Sequence, residues 1–150
     1  MSLRRVIYTS VPQEDISPKD INDILGSARQ NNDQRNVSGL LIYSSNVFIQ
    51  ALEGVPEDVA EILNRIKADT RHHSIEVVTD ATVEGRVFED WSMGFSQSTT
   101  EKLASCAEIE GTLDASALST KLNSSFAFPL MFMQAIVAAE DSNLSTATAA

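Results

Sequence analysis

The spacing of apolar residues in the first two thirds of the chain switches repeatedly between period 2 and a helical period. Five stretches carry the alternation or the short apolar runs that are typical of β-strands: residues 4–10, 37–43, 47–52, 75–83 and 87–95. Residues 37–43 are apolar almost throughout, which predicts a strand in the middle of a sheet. Only Ser44, Ser45 and Asn46 separate this strand from the next, so the two are predicted to form a hairpin.

Two amphipathic helices are predicted between these strands. Apolar residues at helical spacing follow Pro18 and again follow Pro56: Ile21, Ile24, Leu25 and Ala28 in the first helix, and Val59, Ile62, Leu63 and Ile66 in the second. Ser17 is a good N-cap before Pro18, and the turn-favouring residues 31–33 are expected to end the first helix. The order β-α-β-β-α-β-β predicts an α+β, ferredoxin-like sheet with an extra strand and with both helices on one face.

The last third of the chain differs in character and predicts a C-terminal helical extension. Residues 100–110 are compatible with a helix that Gly111 stops, and residues 113–122 are compatible with another. Residues 126–137 are rich in Phe and Met, with Pro129 near the predicted helix start. This segment is expected to pack on the open face of the sheet or in an interface. Residues 142–150 are small and polar and are expected to fray.

Composition and charge exclude several classes of function. The 150 residues carry a net charge of −10, which argues against nonspecific binding of nucleic acid and against docking on anionic membranes. No stretch is apolar for long enough to span a bilayer, so a cytoplasmic location is expected. Cys106 is the single cysteine, and the two histidines, His72 and His73, are adjacent and do not share a face. No disulfide and no metal site are therefore expected.

Gln50 is the most conspicuous polar residue of the predicted strands. It shares a strand face with Phe48 and Leu52, because side chains alternate along a strand. A buried carboxamide needs partners for two donors and one acceptor. Gln50 is therefore either satisfied by the protein or directed at a ligand.

Several other side chains converge with Gln50 in the predicted fold. Tyr8 is expected on the same, helix-covered face, with Trp91 or Met93 beside it, while Trp91, Met93 and Phe95 share a face of the last strand. A flat aromatic ligand would fit between the helices, with apolar walls and few polar contacts. Ile24 and Ile66 would lie against its faces, and Asn31, Asn32 and Gln50 would satisfy its polar edge.

Each of these residues also has a purely structural interpretation. A tyrosine such as Tyr8 is common in strands, asparagines are common at helix ends, and residues such as Trp91 and Met93 commonly lie in a core. Arg65 and Asp69 are spaced i, i+4 and are predicted to form a salt bridge on the second helix.

Five sequence marks occur together and in one order between Leu3 and Phe95. They are Tyr8 in RRVIYTS, Asn31-Asn32, the run SGLLIYSSNVFIQALEG with Gln50, the run RIKADTRHHS, and Trp91-Ser92-Met93. In this combination the chain resembles the BLUF family of flavin-binding blue-light sensors. The resemblance implies a ferredoxin-like domain that holds FAD noncovalently between its two helices.

The resemblance also implies roles for residues at the polar edge of the flavin. Asn32 would hydrogen-bond the C4 carbonyl and the N3 edge, and Arg65 would reach the C2 carbonyl. Asn31 would lie along the same edge, and Asp69 would position Arg65. The other implied contacts are Arg71 and His72, which would hold or shield the cofactor, and Ile24 and Ile66, which would sandwich the ring.

Tyr8, Gln50 and Met93 would form the photoactive cluster, near flavin N5 and O4. A tyrosine with a pKa of about 10 is a poor proton donor, but an excited flavin can oxidise it. The amide of Gln50 can then relay the proton because it both donates and accepts. Rotation and tautomerisation of Gln50 stay open, as does the choice of Trp91 or Met93 for the inner position. The last strand and Trp91 would carry the change onward.

The predicted organisation is a flavin-binding domain in residues 1–98, a helical extension in residues 99–140 and a disordered tail in residues 141–150. Without a catalytic output domain the chain is expected to be a signalling protein and not an enzyme. It would form a homo-oligomer and act through a separate partner. Two alternatives are an acylphosphatase-like hydrolase, which needs a glycine-rich loop that VPQED does not provide, and a cofactor-free regulatory or dimerisation module.

Overall fold

A computed structural model describes residues 2–88, 91–110 and 113–139. The elements are β1 (Leu3–Pro12), α1 (Pro18–Gln34), β2 (Ser38–Ser44), β3 (Val47–Gly54), α2 (Pro56–Ala68), β4 (His72–Val83), β5 (Gly94–Gln97), α3 (Thr100–Ala107), α4 (Ala115–Leu122) and α5 (Phe128–Ala139). The strand order within the sheet is β4-β1-β3-β2-β5. All neighbouring strands are antiparallel except β2 and β5, which are parallel. The predicted α+β fold with C-terminal helices is confirmed.

Each face of the sheet has its own apolar core, as the period-2 alternation of the strands requires. One face packs against α1 and α2, and its core includes Val6, Tyr8, Leu41, Phe48, Leu52, Met93, Ile21, Leu25, Val59, Ile62 and Leu63. We call it the site face. The other packs against α3, α4 and α5, and its core includes Ile7, Leu40, Ile42, Ile49, Leu103, Leu118, Leu122, Phe132, Met133 and Ile136. We call it the cap face.

The apolar C-terminal segment therefore covers the open face of the sheet, one of the two positions expected from the sequence. Phe126 and Met131 are the exceptions, with 81% and 59% of their surface exposed. Two polar contacts hold α4 and the chain before it to the sheet. Ser119 Oγ donates to Glu76 Oε2 at 2.6 Å, and Asn46 Nδ2 donates to the Leu113 carbonyl at 2.6 Å. In the described part of the chain, the helices are too short or too polar to cross a membrane.

Helix α1 begins as predicted and ends later than predicted. Ser17 Oγ accepts from the Asp20 amide while Asp20 Oδ2 accepts from the Ser17 amide, which forms a capping box. The asparagines at 31 and 32 do not end the helix, because the side chain of Asn32 is buried and bonded to the Ser92 carbonyl. The chain turns only at Asn36, which has a left-handed φ of 52°.

Two strand boundaries predicted from the sequence are wrong. Strand β4 begins at His72 and not at residue 75, because the end of β1 continues the ladder and pairs with it there. Strand β5 covers only Gly94–Gln97, so the predicted strand 87–95 fails over most of its length. The amides of Val87 and Phe88 donate to the carboxylate of Glu53, which removes them from any ladder.

Glu53 anchors the segment before β5 from within the core. Its carboxylate is fully buried and also accepts from Arg5 Nε at 2.8 Å. Arg86 adds a second anchor, with bonds to Ser38 Oγ at 2.8 Å and to the Glu53 carbonyl at 3.0 Å. The path that leads to Met93 is therefore fixed to the ends of β2 and β3. Residues 89–90, the predicted stop at Gly111 and the predicted tail 141–150 lie outside the described residues.

Candidate functional site

A pocket of about 190 Å³ lies between α1 and α2, over the site face. We call it the interhelix slot. Its lining comprises Tyr8, Ile24, Ser27, Ala28, Asn31, Asn32, Leu41, Phe48, Gln50, Ile62, Arg65, Ile66, Asp69, Arg71 and His72. Ten of the twelve side chains singled out in the sequence thus meet at one slot, and the two that do not line it are Met93 and Trp91. Ile24 and Ile66 provide an apolar residue from each helix, as the helical stripes predicted.

A hydrogen-bonded pair, Tyr8 and Gln50, forms the buried end of the slot. The two residues are directly opposite in the ladder between β1 and β3, so their side chains leave the sheet on one face. The Tyr8 hydroxyl donates to Gln50 Oε1, and both residues are almost fully buried. Burial, together with the nearby charge of Asp69, raises the pKa of Tyr8 well above its ordinary value. Tyr8 therefore keeps its proton at neutral pH.

Met93 supplies the third member of this cluster. Gln50 Nε2 lies 3.5 Å from Met93 Sδ, and only 1% of Met93 is exposed. Trp91 instead stacks on Phe88, with ring centroids 6.0 Å apart, and packs against the cap-face core. The prediction that Trp91 and Met93 share a strand face is therefore wrong, because β5 begins only at Gly94.

Two glycines leave room for Trp91 and Met93 on opposite faces of the sheet. A Cβ on Gly39 would clash with the Ala51 carbonyl oxygen and would lie 3.2 Å from the terminal methyl of Met93. A Cβ on Gly94 would lie 2.9 Å from the Trp91 ring. The space that a side chain would need is thus taken at Gly39 by the Ala51 backbone, with Met93 beside it, and at Gly94 by the Trp91 ring.

Asn32 carries an unsatisfied buried acceptor beside the slot. Its Nδ2 donates to the Ser92 carbonyl at 2.7 Å, and the residue has no exposed surface. Its Oδ1 has no hydrogen-bond partner among the described residues. An unpaired buried acceptor is costly, so this atom fits a ligand that presents an N–H donor. The N3–H of a flavin ring is such a donor.

Arg65 contacts Asn31 at the slot, and not Asp69, the partner that the sequence predicted. Arg65 Nη1 donates to Asn31 Oδ1 at 3.0 Å, and its Nε lies 3.3 Å from Glu61. The predicted salt bridge with Asp69 is wrong, since Asp69 lies beyond the end of α2 and binds the following loop. Arg65 is half-exposed and can reach toward a ligand.

Asp69 and Arg71 form a compact ion pair next to the slot. Arg71 Nη2 donates to Asp69 Oδ2 at 2.7 Å, and the Arg71 amide donates to Asp69 Oδ1 at 2.9 Å. Burial alone would raise the pKa of Asp69, but the hydrogen bonds from Arg71 outweigh it and hold that pKa below its ordinary value. Asp69 therefore shapes the slot through Arg71 and not through Arg65.

His72 connects the end of α2 to β1. Its Nε2 lies 2.8 Å from the Ile66 carbonyl, and its Nδ1 lies 2.7 Å from Ser10 Oγ. The carbonyl is a pure acceptor, so Nε2 donates to it. This bridge fixes the wall residue Ile66 relative to the strand that carries Tyr8.

Sequence reasoning missed the small residues of the slot and one of its supports. Ser27 and Ala28 continue the stripe of Ile24 at i+3 and i+4, and their small side chains leave the room that a flat ligand needs. That stripe was a usable signal. Arg29, which donates from Nε to the Met93 carbonyl at 3.0 Å, had no signal in the sequence pattern.

Comparison with known proteins agrees with this geometry. Residues 3–94 match a family described as BLUF, sensors of blue light using FAD. The beta subunit of photoactivated adenylate cyclase from Euglena longa is 35% identical over 94 residues, which is 61% of this chain and 11% of that protein. The chain thus spans about a tenth of the length of the curated relatives it matches.

Solved structures extend the similarity to the C-terminal helices. The photo-activated state of BlsA is 28% identical, with a TM-score of 0.74 over 93% of this chain and 97% of that one. The dark-state structure of BlrB, a BLUF protein, is 25% identical, with a TM-score of 0.69 over 92% and 96% of the two chains. Both similarities cover the cap face as well as the interhelix slot.

Proposed function

The chain belongs to the BLUF family of blue-light sensors that use FAD, and on that premise we propose that its interhelix slot holds the flavin ring and senses light through Gln50. The observation that carries the proposal is the buried Tyr8–Gln50 hydrogen bond at the end of a slot with apolar walls. A phenol bonded to a carboxamide, shielded from water and next to a flat pocket, suits light-driven movement of one electron and one proton.

The residues of the slot fit a flavin in shape and in polarity. Ile24 and Ile66 would contact the two faces of the ring, and the unpaired Oδ1 of Asn32 would accept from N3–H. Arg65, held by Asn31, would reach the C2 carbonyl. The remaining rim contacts, Arg71 and His72, would hold or shield the rest of FAD, whose phosphates are anionic.

When bound and excited by blue light, the flavin supplies a strong oxidant. Tyr8 gives up an electron, and its hydroxyl proton has a direct path along its hydrogen bond to Gln50 Oε1. Because the pKa of Tyr8 is raised by burial, the proton does not leave unless the electron does. The electron and the proton then return to Tyr8, so nothing is consumed.

Gln50 retains the result as a changed set of hydrogen bonds. Its amide donates and accepts at once. Rotation would exchange the group that faces Tyr8 with the group that faces Met93, whereas tautomerisation would move a proton from Nε2 to Oε1 with both atoms in place. In either case the contact between Nε2 and the Met93 sulfur is altered. The stored signal is therefore a rearrangement within the protein.

The rearrangement would reach the cap face through the chain that follows Met93. Strand β5 begins at the next residue and leads into α3, and α3 packs with α4 and α5. A change at Met93 would shift this path, and the helices would pass it to a separate partner protein. The exposed side chains of Phe126 and Met131 offer a contact surface for that partner or for a second copy of the chain.

Neither alternative function gains support from the site. The connection between β1 and α1, residues 13–17, contains no glycine and offers no backbone cradle for a phosphate. A cofactor-free module leaves the buried Oδ1 of Asn32 without a partner among the residues that the structure describes.

The test is a pair of absorption spectra of the purified protein, recorded in the dark and under blue light. We expect a yellow protein that releases FAD on denaturation. Its spectrum should shift slightly to the red under light and recover in darkness. A protein that binds FAD stoichiometrically but gives identical spectra would contradict the proposal.

A further inference from the structure

Hydrogen bonds to three consecutive carbonyl groups hold the segment that carries Trp91 and Met93. The donors come from β2 and from α1: the Gly39 amide to the Trp91 carbonyl at 3.0 Å, Asn32 Nδ2 to the Ser92 carbonyl at 2.7 Å, and Arg29 Nε to the Met93 carbonyl at 3.0 Å. We call this set of contacts the carbonyl clamp. Arg29 and Asn32 are spaced i, i+3 on α1, so one helix face reaches two of the three carbonyls.

The clamp lies at the point where Trp91 and Met93 project to opposite faces of the sheet. In a regular strand, Trp91 and Met93 would project to the same face. Here they project to opposite faces, with the Trp91 indole stacked on Phe88 and the Met93 sulfur 3.5 Å from Gln50 Nε2. The backbone between them therefore follows an irregular path, and the three hydrogen bonds of the clamp hold it there.

Arg29 is partly buried at this position. Its charge is partly removed from water, and this burial lowers the pKa of its guanidinium. A charged donor to a neutral carbonyl gives one of the stronger hydrogen bonds in proteins. Arg29 does not line the interhelix slot, so direct contact with the flavin does not account for its placement.

We propose that Arg29 is a positioning residue, which holds the Met93 carbonyl and so keeps the Met93 thioether, and not the Trp91 indole, against Gln50 in the dark. This inference rests on the proposed light-sensing function. A movement of this segment away from α1 would break the bond from Arg29, so Arg29 also raises the barrier to such a movement. Without it, Trp91 leaves its stack with Phe88 and the photoproduct decays faster.

The experiment compares Arg29→Met, Arg29→Lys and Arg35→Met with the unaltered chain. Arg35→Met is a matched control, because Arg35 lies at the same end of α1 but faces Asp58 and Glu61, each at 3.9 Å. Trp91 is the single tryptophan, so intrinsic fluorescence and its quenching by acrylamide report on that residue alone. The second readout is the rate of dark recovery after a blue flash.

We expect Arg29→Met to bind FAD, to recover roughly tenfold faster, because the charge-assisted bond to the Met93 carbonyl is lost, and to show stronger quenching of Trp91. Arg29→Lys keeps a charged donor and should restore most of both properties. Arg35→Met should match the unaltered chain. If Arg29→Met does not fold, Arg29→Gln, which loses the charge but keeps a polar side chain, takes its place: faster recovery and stronger quenching support the proposal, and their absence overturns it.

Unchanged recovery and unchanged quenching in Arg29→Met would overturn the proposal, and so would equal changes in Arg35→Met. The fluorescence readout does not require a photocycle. A dark-adapted chain that has no light response but still shows the Arg29 effect on Trp91 would refute the proposed function and leave the clamp intact. A normal light response without any Arg29 effect on Trp91 would refute the clamp and leave the proposed function intact.

Discussion

The two faces of the sheet share the same strands but bury different chemistry. Tyr8 and Gln50 point to the site face, while their neighbours Ile7 and Ile49 point to the cap face. The site face keeps a slot of about 190 Å³ and a network of buried polar atoms. The cap face is filled by apolar side chains of three helices.

Under the proposed function, this difference separates the part of the molecule that would respond to light from the part that supports it. Because side chains alternate along a strand, one strand can place a polar residue of the slot and an apolar packing residue at adjacent positions. The cap face stabilises the strands without entering the slot. A change on one face should therefore affect stability, and a change on the other should affect the cofactor as well.

Matched leucine truncations should separate the faces most strongly. Leu118 is fully buried on the cap face, and Leu41 is buried on the site face, where it lines the slot. We expect Leu118→Ala and Leu41→Ala each to lower the free energy of unfolding by about 2–5 kcal/mol, as measured by urea denaturation of the FAD-free protein. Only Leu41→Ala should also change the dissociation constant for FAD. An equal change in FAD affinity for Leu118→Ala would show that the faces are not separable.

Asn32→Ala should weaken FAD binding by about 1–3 kcal/mol, measured by titration with FAD, because the buried acceptor that fits the flavin N3–H is lost. Asn46→Ala provides the control, since Asn46 donates to the Leu113 carbonyl at the cap face. Its FAD affinity should equal that of the unaltered chain. Full FAD affinity in Asn32→Ala would exclude this residue from the polar edge of the site.

The pH dependence of stability gives a smaller effect that belongs to the site face alone. The folded-state pKa of Tyr8 is raised by burial, so above about pH 10 the unfolded chain loses this proton while the folded chain keeps it. The free energy of unfolding should therefore fall as pH rises, by up to about 1.4 kcal/mol per pH unit. Urea titrations of Tyr8→Phe should show a shallower decline than those of the unaltered chain. Equal slopes for the unaltered chain and Tyr8→Phe would contradict burial of an intact phenol.

The sequence pattern was sufficient for the order of strands and helices along the chain, for the hairpin of β2 and β3, and for placing Tyr8 and Gln50 on one face. These features follow from period-2 alternation, helical stripes and a capping box, all of which are local signals. The placement of Ile24 and Ile66 at the interhelix slot follows from the same stripes.

The predictions failed where distant groups compete for the backbone. The carboxylate of Glu53 takes the amides of Val87 and Phe88, which shortens β5 and sends Trp91 to the cap face. Asp69 binds Arg71 after the chain leaves α2, so the i, i+4 spacing with Arg65 did not give a salt bridge. No periodicity in the sequence records such contacts.

Light-minus-dark absorption spectra of Gln50→Leu and Tyr8→Phe, with Tyr43→Phe as the control, test the central claim most directly. Tyr43 lies on β2 and does not line the slot. Gln50→Leu and Tyr8→Phe should each bind FAD and show no reversible red shift, whereas Tyr43→Phe should respond normally. A normal red shift in Gln50→Leu or in Tyr8→Phe would contradict the claim that a carboxamide bonded to a phenol records the light signal.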